Sequence, residues 1–223
     1  MTIQERPAAI EWRAALGEQY STLEQQHTAA EFGMWIFLAT ELMLFGGLLT
    51  AYTVYRTVYP AGFAEGSRHL DLVYGGPNTA VLLLSSLTMA QAVHSAQAGE
   101  RRKLVWYLTA TALIGLIFMA VKGAEYYKHY VDGMVPLMAW RYSGPYPSQV
   151  LVFFFAYFAL TGLHAVHLTI GIVIVLITAF MASRGTFPPE NHTPVEVIGL
   201  YWHFVDIVWI FLLPLLYLFG LQS

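Results

Sequence analysis

The chain has 223 residues, 57% hydrophobic and 11% charged, with a formal net charge of −3. Soluble domains carry about 25% charged residues, so the composition excludes an ordinary water-soluble domain and indicates an integral membrane protein. No basic face exists for nucleic acid, and the absence of cysteine excludes disulfides and thiolate metal sites.

Residues 1–31 form a polar tail. They carry Glu5, Glu11, Glu18, Glu24 and Glu31 and no apolar core, so they are not a secretory signal. Five apolar segments follow, at 32–55, 72–96, 104–124, 149–182 and 195–220. A bilayer-crossing helix needs ~20 residues at 1.5 Å rise each. The chain therefore reads as all-α: a polytopic membrane bundle of five transmembrane helices, residues 32–223, behind the tail. The sequence GGPN at Gly75, Gly76, Pro77 and Asn78 predicts a turn at the entry to the second span. Pro214 predicts a bend or a lost backbone hydrogen bond in the fifth. The connections around 56–71 and 128–148 are the longest, and both fall on one side.

Basic residues set the expected orientation. One side receives Arg6, Arg13, Arg101, Arg102, Lys103 and Arg184; the other receives Arg56, Arg68, Lys128 and Arg141, with Lys122 counted there as well. The dense triplet at 101–103, in a short loop, favours its side as cytoplasmic. The N-terminus is then inside and the C-terminus outside.

Glu41 is the lone charged residue of the first span. A carboxylate at membrane depth is costly by several kcal/mol. It needs a proton, a polar partner or a protein face hidden from lipid. Glu41 lies roughly 14 Å in from the start of its span. Asp206 enters from the same side in the fifth span, and His203, three residues earlier, shares its helix face. His164 and His167 share a face of the fourth span. These five groups are expected in one band, hydrogen-bonding one another. His94 falls near the end of the second span. Glu125 falls near the end of the third, where Tyr126 and Tyr127 suit the lipid–water boundary and the carboxylate reaches headgroups.

Each of these groups has two readings. His164 and His167, in HAVH, have the i, i+3 spacing of half a metal site, as in a membrane metal oxygenase. The chain's eight histidines supply only this one pair, so hydrogen bonding between helices is the plainer reading. Asp206 with His203 is either a proton relay or a satisfied structural pair. Glu41 is the member best placed for proton chemistry, against a structural or lipid-binding role. Buried ionisable groups also suit a stand-alone proton-coupled transporter, although no internal repeat of the kind common in transporters is present.

Four segments, in order, carry a resemblance: MWIFLATELMLFGG from Met34, the helix of Asn78 to Ser95 with GAEYY from Gly123, TGLHAVHLTIG from Thr161, and YWHFVDIVWIFLLPLLYLFG from Tyr201. Over roughly 32–220 the chain resembles subunit III of the haem-copper respiratory oxidases, in the five-helix bacterial form. The resemblance implies a non-redox subunit of a proton-pumping cytochrome c oxidase in the bacterial inner membrane. Such a subunit packs on subunit I, holds phospholipids and sustains proton uptake. Haems and copper are implied in partner subunits I and II, with no metal or cofactor in this chain. Glu41 matches the family's buried reactive carboxylate. His164, His167, His203 and Asp206 match its interhelical polar set. His94 and Glu125 match family positions with no defined role. Relative to the seven-helix form, the first two helices and the lipid cleft they help build are missing. TEL at Thr40, Glu41 and Leu42 looks more like cytochrome c oxidases than quinol oxidases, which stay the alternative along with a nitric-oxide-reductase accessory protein.

Overall fold

The computed structural model describes residues 19–187 and 192–218; Glu5, Arg6, Glu11, Arg13 and Glu18 of the tail and the end of the fifth span at 219–220 lie outside these. Among the described residues there are six helices and one small hairpin, in chain order: α1 Leu23–Val58, α2 Pro60–Arg68, α3 Leu72–Gln97, α4 Arg101–Val131, β1 Met134–Val135, β2 Ala139–Trp140, α5 Pro147–Ser183 and α6 Thr193–Tyr217. Five of the helices are long and apolar enough to cross a membrane: all of α1, α4, α5 and α6, and the Gly75–Gln97 part of α3.

Helix α1 starts nine residues before the apolar run that predicts it. Thr22 supplies the reason: its hydroxyl accepts the Gln25 amide at 3.1 Å, satisfying a donor left free in the first turn. The predicted turn at GGPN is absent, and α3 runs through Pro77. A proline early in a helix removes few backbone bonds. Gly75 serves instead to bring α3 against the end of α6, since a Cβ there would meet Leu213 at 3.0 Å and Tyr217 at 3.2 Å.

Each long connection also contains structure. The one at 56–71 holds α2, with Pro60 at its start. Its Phe63 wedges between Tyr52, at a ring distance of 5.3 Å, and Phe153, at 5.6 Å. In the one at 128–148, α4 continues to Val131, and β1 pairs antiparallel with β2 through Met134–Trp140 and Val135–Ala139. Leu137, at the hairpin tip, has φ 67°. That conformation costs a residue with a Cβ roughly 1–2 kcal/mol.

In a bilayer the helices gain little from hydrophobic burial against one another, so close packing and hydrogen bonds must hold them. Trp202 of α6 is 1% exposed and slots over Gly115 of α4 and Gly171 of α5, where added Cβ atoms would lie 3.0 and 3.3 Å from its ring. The last carbonyls of a helix lack intrahelical donors, and neighbouring elements supply them. Tyr52 of α1 donates to Leu215 O at 2.8 Å, and Ser67 of α2 donates to Leu216 O at 2.7 Å. Arg101 of α4 donates to Ala182 O of α5 at 3.0 Å. Pro214 sits within this last turn of α6, where it removes only the bond to Ile210 O. The outward faces are apolar: Trp35, Met43 and Val54 on α1 and Val173, Ile177 and Phe180 on α5 are exposed.

Candidate functional site

Glu41 of α1 meets His167 of α5, with Oε2 2.8 Å from Nε2. The other ring nitrogen, Nδ1, lies 2.8 Å from Leu163 O, one turn earlier in α5. A carbonyl can only accept, so Nδ1 carries a hydrogen. Nε2 then either accepts a proton from the Glu41 carboxyl or donates one to its carboxylate. Both arrangements hold one proton between the groups, and both are neutral overall. This resolves the cost of a carboxylate at membrane depth without any net charge. Phe45 packs against the imidazole at a ring distance of 5.3 Å, and Tyr201 fixes the local backbone by donating to His167 O at 2.9 Å. The pair is not sealed. It forms the polar floor of a groove of ≈ 500 Å³ lined by Met34, Phe37, Ile170 and Ile198.

The expected band of five is only partly formed. His203 turns to α3, where its Nδ1 lies 2.8 Å from Ser86 Oγ. Asp206 is 2% exposed beside Ser86, and neither carboxylate oxygen has a hydrogen-bond partner among the described residues. His164 is 1% exposed and packs on the rings of Phe118 and Trp209 at 5.8 and 4.9 Å, with neither nitrogen hydrogen-bonded. The band fails because a shared helix face fixes direction but not neighbours: aromatic rings and a serine fill the space in which these groups were to meet. HAVH does not chelate in this arrangement, because His167 is committed at both nitrogens. Among the described residues no three His, Asp or Glu side chains form a group fit to hold a metal ion. His94 is exposed in the last turn of α3.

Glu125 does not reach headgroups. It is 2% exposed and sits in a closed network with Lys122, itself 5% exposed. Lys122 Nζ donates to Glu125 Oε2 at 2.9 Å, to Tyr157 at 3.1 Å and to Tyr217 at 2.8 Å. Both phenols in turn donate to Glu125 Oε1, Tyr157 at 2.8 Å and Tyr217 at 2.5 Å. An ammonium has three donors and all three are used. The Trp209 ring, 5.0 Å from Nζ, covers the charge. Lys122 is thus not a loop cation. Composition and spacing miss this network because its tyrosines come from α5 and α6; the one signal was a lysine three residues before an acid. Outside the spans, Tyr142 ties the segment after β2 to α2 through Glu65 Oε1 at 3.4 Å. Desolvation and the Glu65 carboxylate raise that phenol above its ordinary pKa, which keeps it a donor.

Five membrane-length helices among the described residues, with Glu41 and Glu125 paired inside the bundle, define a polytopic helical membrane protein. Comparison with known families narrows this. The model of the family "Cytochrome c oxidase subunit III" matches residues 10–221. The chain belongs to the cytochrome c oxidase subunit III family. It is 34% identical to cytochrome c oxidase subunit 3 of Synechocystis sp., over 84% of this chain and 74% of the relative. It is 31% identical to cytochrome c oxidase subunit 3 of Corynebacterium diphtheriae, over 83% and 85%. It is also 30% identical to the cytochrome bo(3) ubiquinol oxidase subunit 3 of Pseudomonas aeruginosa, over 85% and 84%. This membership places the chain among terminal-oxidase subunits rather than among stand-alone transporters or membrane oxygenases.

Proposed function

We propose that the chain is the non-redox subunit III of a proton-pumping cytochrome c oxidase, and that the Glu41–His167 pair is its proton-handling group. The geometry of that pair carries the reading. It holds one exchangeable proton, it is neutral in either arrangement, and it faces an open groove rather than the sealed core. The proton can shift between carboxyl and imidazole with the pair neutral throughout; passing it on leaves one negative charge until another proton arrives from the groove. The chain itself binds no haem or copper in this reading; those groups sit in subunits I and II and supply the electron transfer and oxygen reduction. Subunit III packs against subunit I in the bacterial inner membrane, retains phospholipid, and keeps proton uptake in step with turnover. The tail, residues 1–31, lies on the cytoplasmic side and residues 32–223 form the membrane domain. The burial of Lys122 supports this orientation, because it removes a cation from the opposite side and leaves the triplet at 101–103 dominant.

The test is the oxidase complex with Glu41→Gln, which keeps a hydrogen-bonding group but cannot share a titrating proton. Assembly is expected to be retained, with stability changed by less than about 1 kcal/mol. Proton uptake slows or turnover inactivation quickens. Normal pumping and normal lifetime in that variant reduce the pair to a structural contact. The Pseudomonas aeruginosa relative favours a second reading, with ubiquinol as donor. Comparing oxygen uptake with reduced cytochrome c and with ubiquinol separates the two.

A further inference from the structure

The β1–β2 hairpin carries an apolar tip that nothing in the bundle explains. Leu137 is 90% and Met138 83% exposed, and Leu137 holds this position with left-handed backbone. The base of the hairpin is firmly set. Arg141 N donates to Gly133 O at 2.7 Å, and Trp140 packs on Phe154 at 6.1 Å. The Arg141 guanidinium, by contrast, has no hydrogen-bond or carboxylate partner among the described residues. It borders a concavity of ≈ 380 Å³ lined by Tyr130, Val131, Met138, Ala139, Trp140 and Arg141.

Depth can be read from α4. Trp106 is 64% and Tyr127 71% exposed on its outer surface. They are separated by about 31 Å of helix, the thickness of the hydrocarbon layer, and exposed aromatics of this kind mark its two boundaries. Val131 lies one turn beyond Tyr127, roughly 6 Å further out. That is the depth of the headgroup phosphates, since headgroups add about 5–7 Å on each side. Tyr130 and Val131, exposed at the C-terminal end of α4, line the same concavity as Met138.

We propose that this concavity is a phospholipid site: Arg141 holds the phosphate, Tyr130 and Trp140 flank the headgroup, and Leu137 and Met138 rest in the glycerol and upper acyl region. An unpartnered cation at phosphate depth supplies the charge complementarity, and the exposed C-terminal end of α4 lines the concavity. The site lies on the side reached by the C-terminal end of α4, apart from the Glu41 groove.

The chain's lack of cysteine permits a direct test in the assembled oxidase. Spin labels are placed at Leu137→Cys and Met138→Cys, with Ile117→Cys as the lipid reference and Ala98→Cys as the water reference. In phosphatidylcholine–phosphatidylglycerol nanodiscs the tip labels are expected to collide with oxygen more, and with a water-soluble nickel complex less, than the label at 98. Labels as wet as that at 98 overturn the proposal, and so do labels shielded from both reagents, which would mean that protein covers the tip. Native mass spectrometry supplies the second arm. Arg141→Gln is expected to weaken retention of one phosphatidylglycerol about fivefold, the effect of one basic side chain at a membrane surface, while Arg141→Lys keeps most of it. Unchanged retention in Arg141→Gln, or displacement of the lipid by inorganic phosphate, rules the site out as a lipid site.

Discussion

Glu41 and Glu125 are both buried carboxylates facing a basic partner, yet the bundle treats them in opposite ways. Glu125 is enclosed: its partner Lys122 spends every donor, two phenols bridge cation and anion, and an indole caps them. Glu41 is hydrogen-bonded to an imidazole at the edge of a groove. Burial alone therefore does not distinguish the two acids. The distinguishing features are how many partners each acid has and whether the outside can reach it.

The largest expected effect comes from breaking the enclosed network. Lys122→Met leaves Glu125 buried without its cation and is expected to lose about 3–5 kcal/mol, seen as poor incorporation of the subunit and a lowered thermal midpoint. Lys122→Met combined with Glu125→Leu removes both charges and should recover most of that loss. A double variant as unstable as the single one would show that the two groups are not coupled. Glu41→Ala comes next. It strands His167 Nε2 in a partly open site, for about 1–3 kcal/mol by the same midpoint. If Glu41→Ala proved as damaging as Lys122→Met, the contrast between the two sites would collapse. Tyr52→Phe is the smallest, about 1 kcal/mol, because it removes one neutral hydrogen bond to the end of α6 and keeps the packed ring.

The spans were readable because apolar runs of membrane length have few other solutions. Glu41 was readable for a related reason: a lone acid in such a run demands an explanation. Its partner could be narrowed to a set of imidazoles and no further, because helix periodicity fixes a face and an approximate depth but not which neighbour fills it. His164 shows this well, since it shares its face with His167 and yet meets only rings. The Lys122 network was out of reach because Tyr157 and Tyr217 lie 35 and 95 residues away in the chain from Lys122, and tyrosines near span ends read as boundary residues. Helix α2 was hidden by its shortness. GGPN misled because glycine and proline signal turns in water, whereas here the glycine permits two helices to touch.

Tyr52 on α6 and Glu41 on α5 are two of the polar points at which helix α1 meets the rest of the bundle. They are separated by about 16 Å along the helix. A rod held near one end by a phenol and at its middle by one carboxyl–imidazole hydrogen bond is divided into two unequally anchored halves. Loosening the Glu41 contact would leave the half of α1 nearest the N-terminus resting on ring contacts such as Phe37 on Tyr201 and His27 on His192, while Tyr52 still ties the far half to α6, so the two halves would loosen unequally.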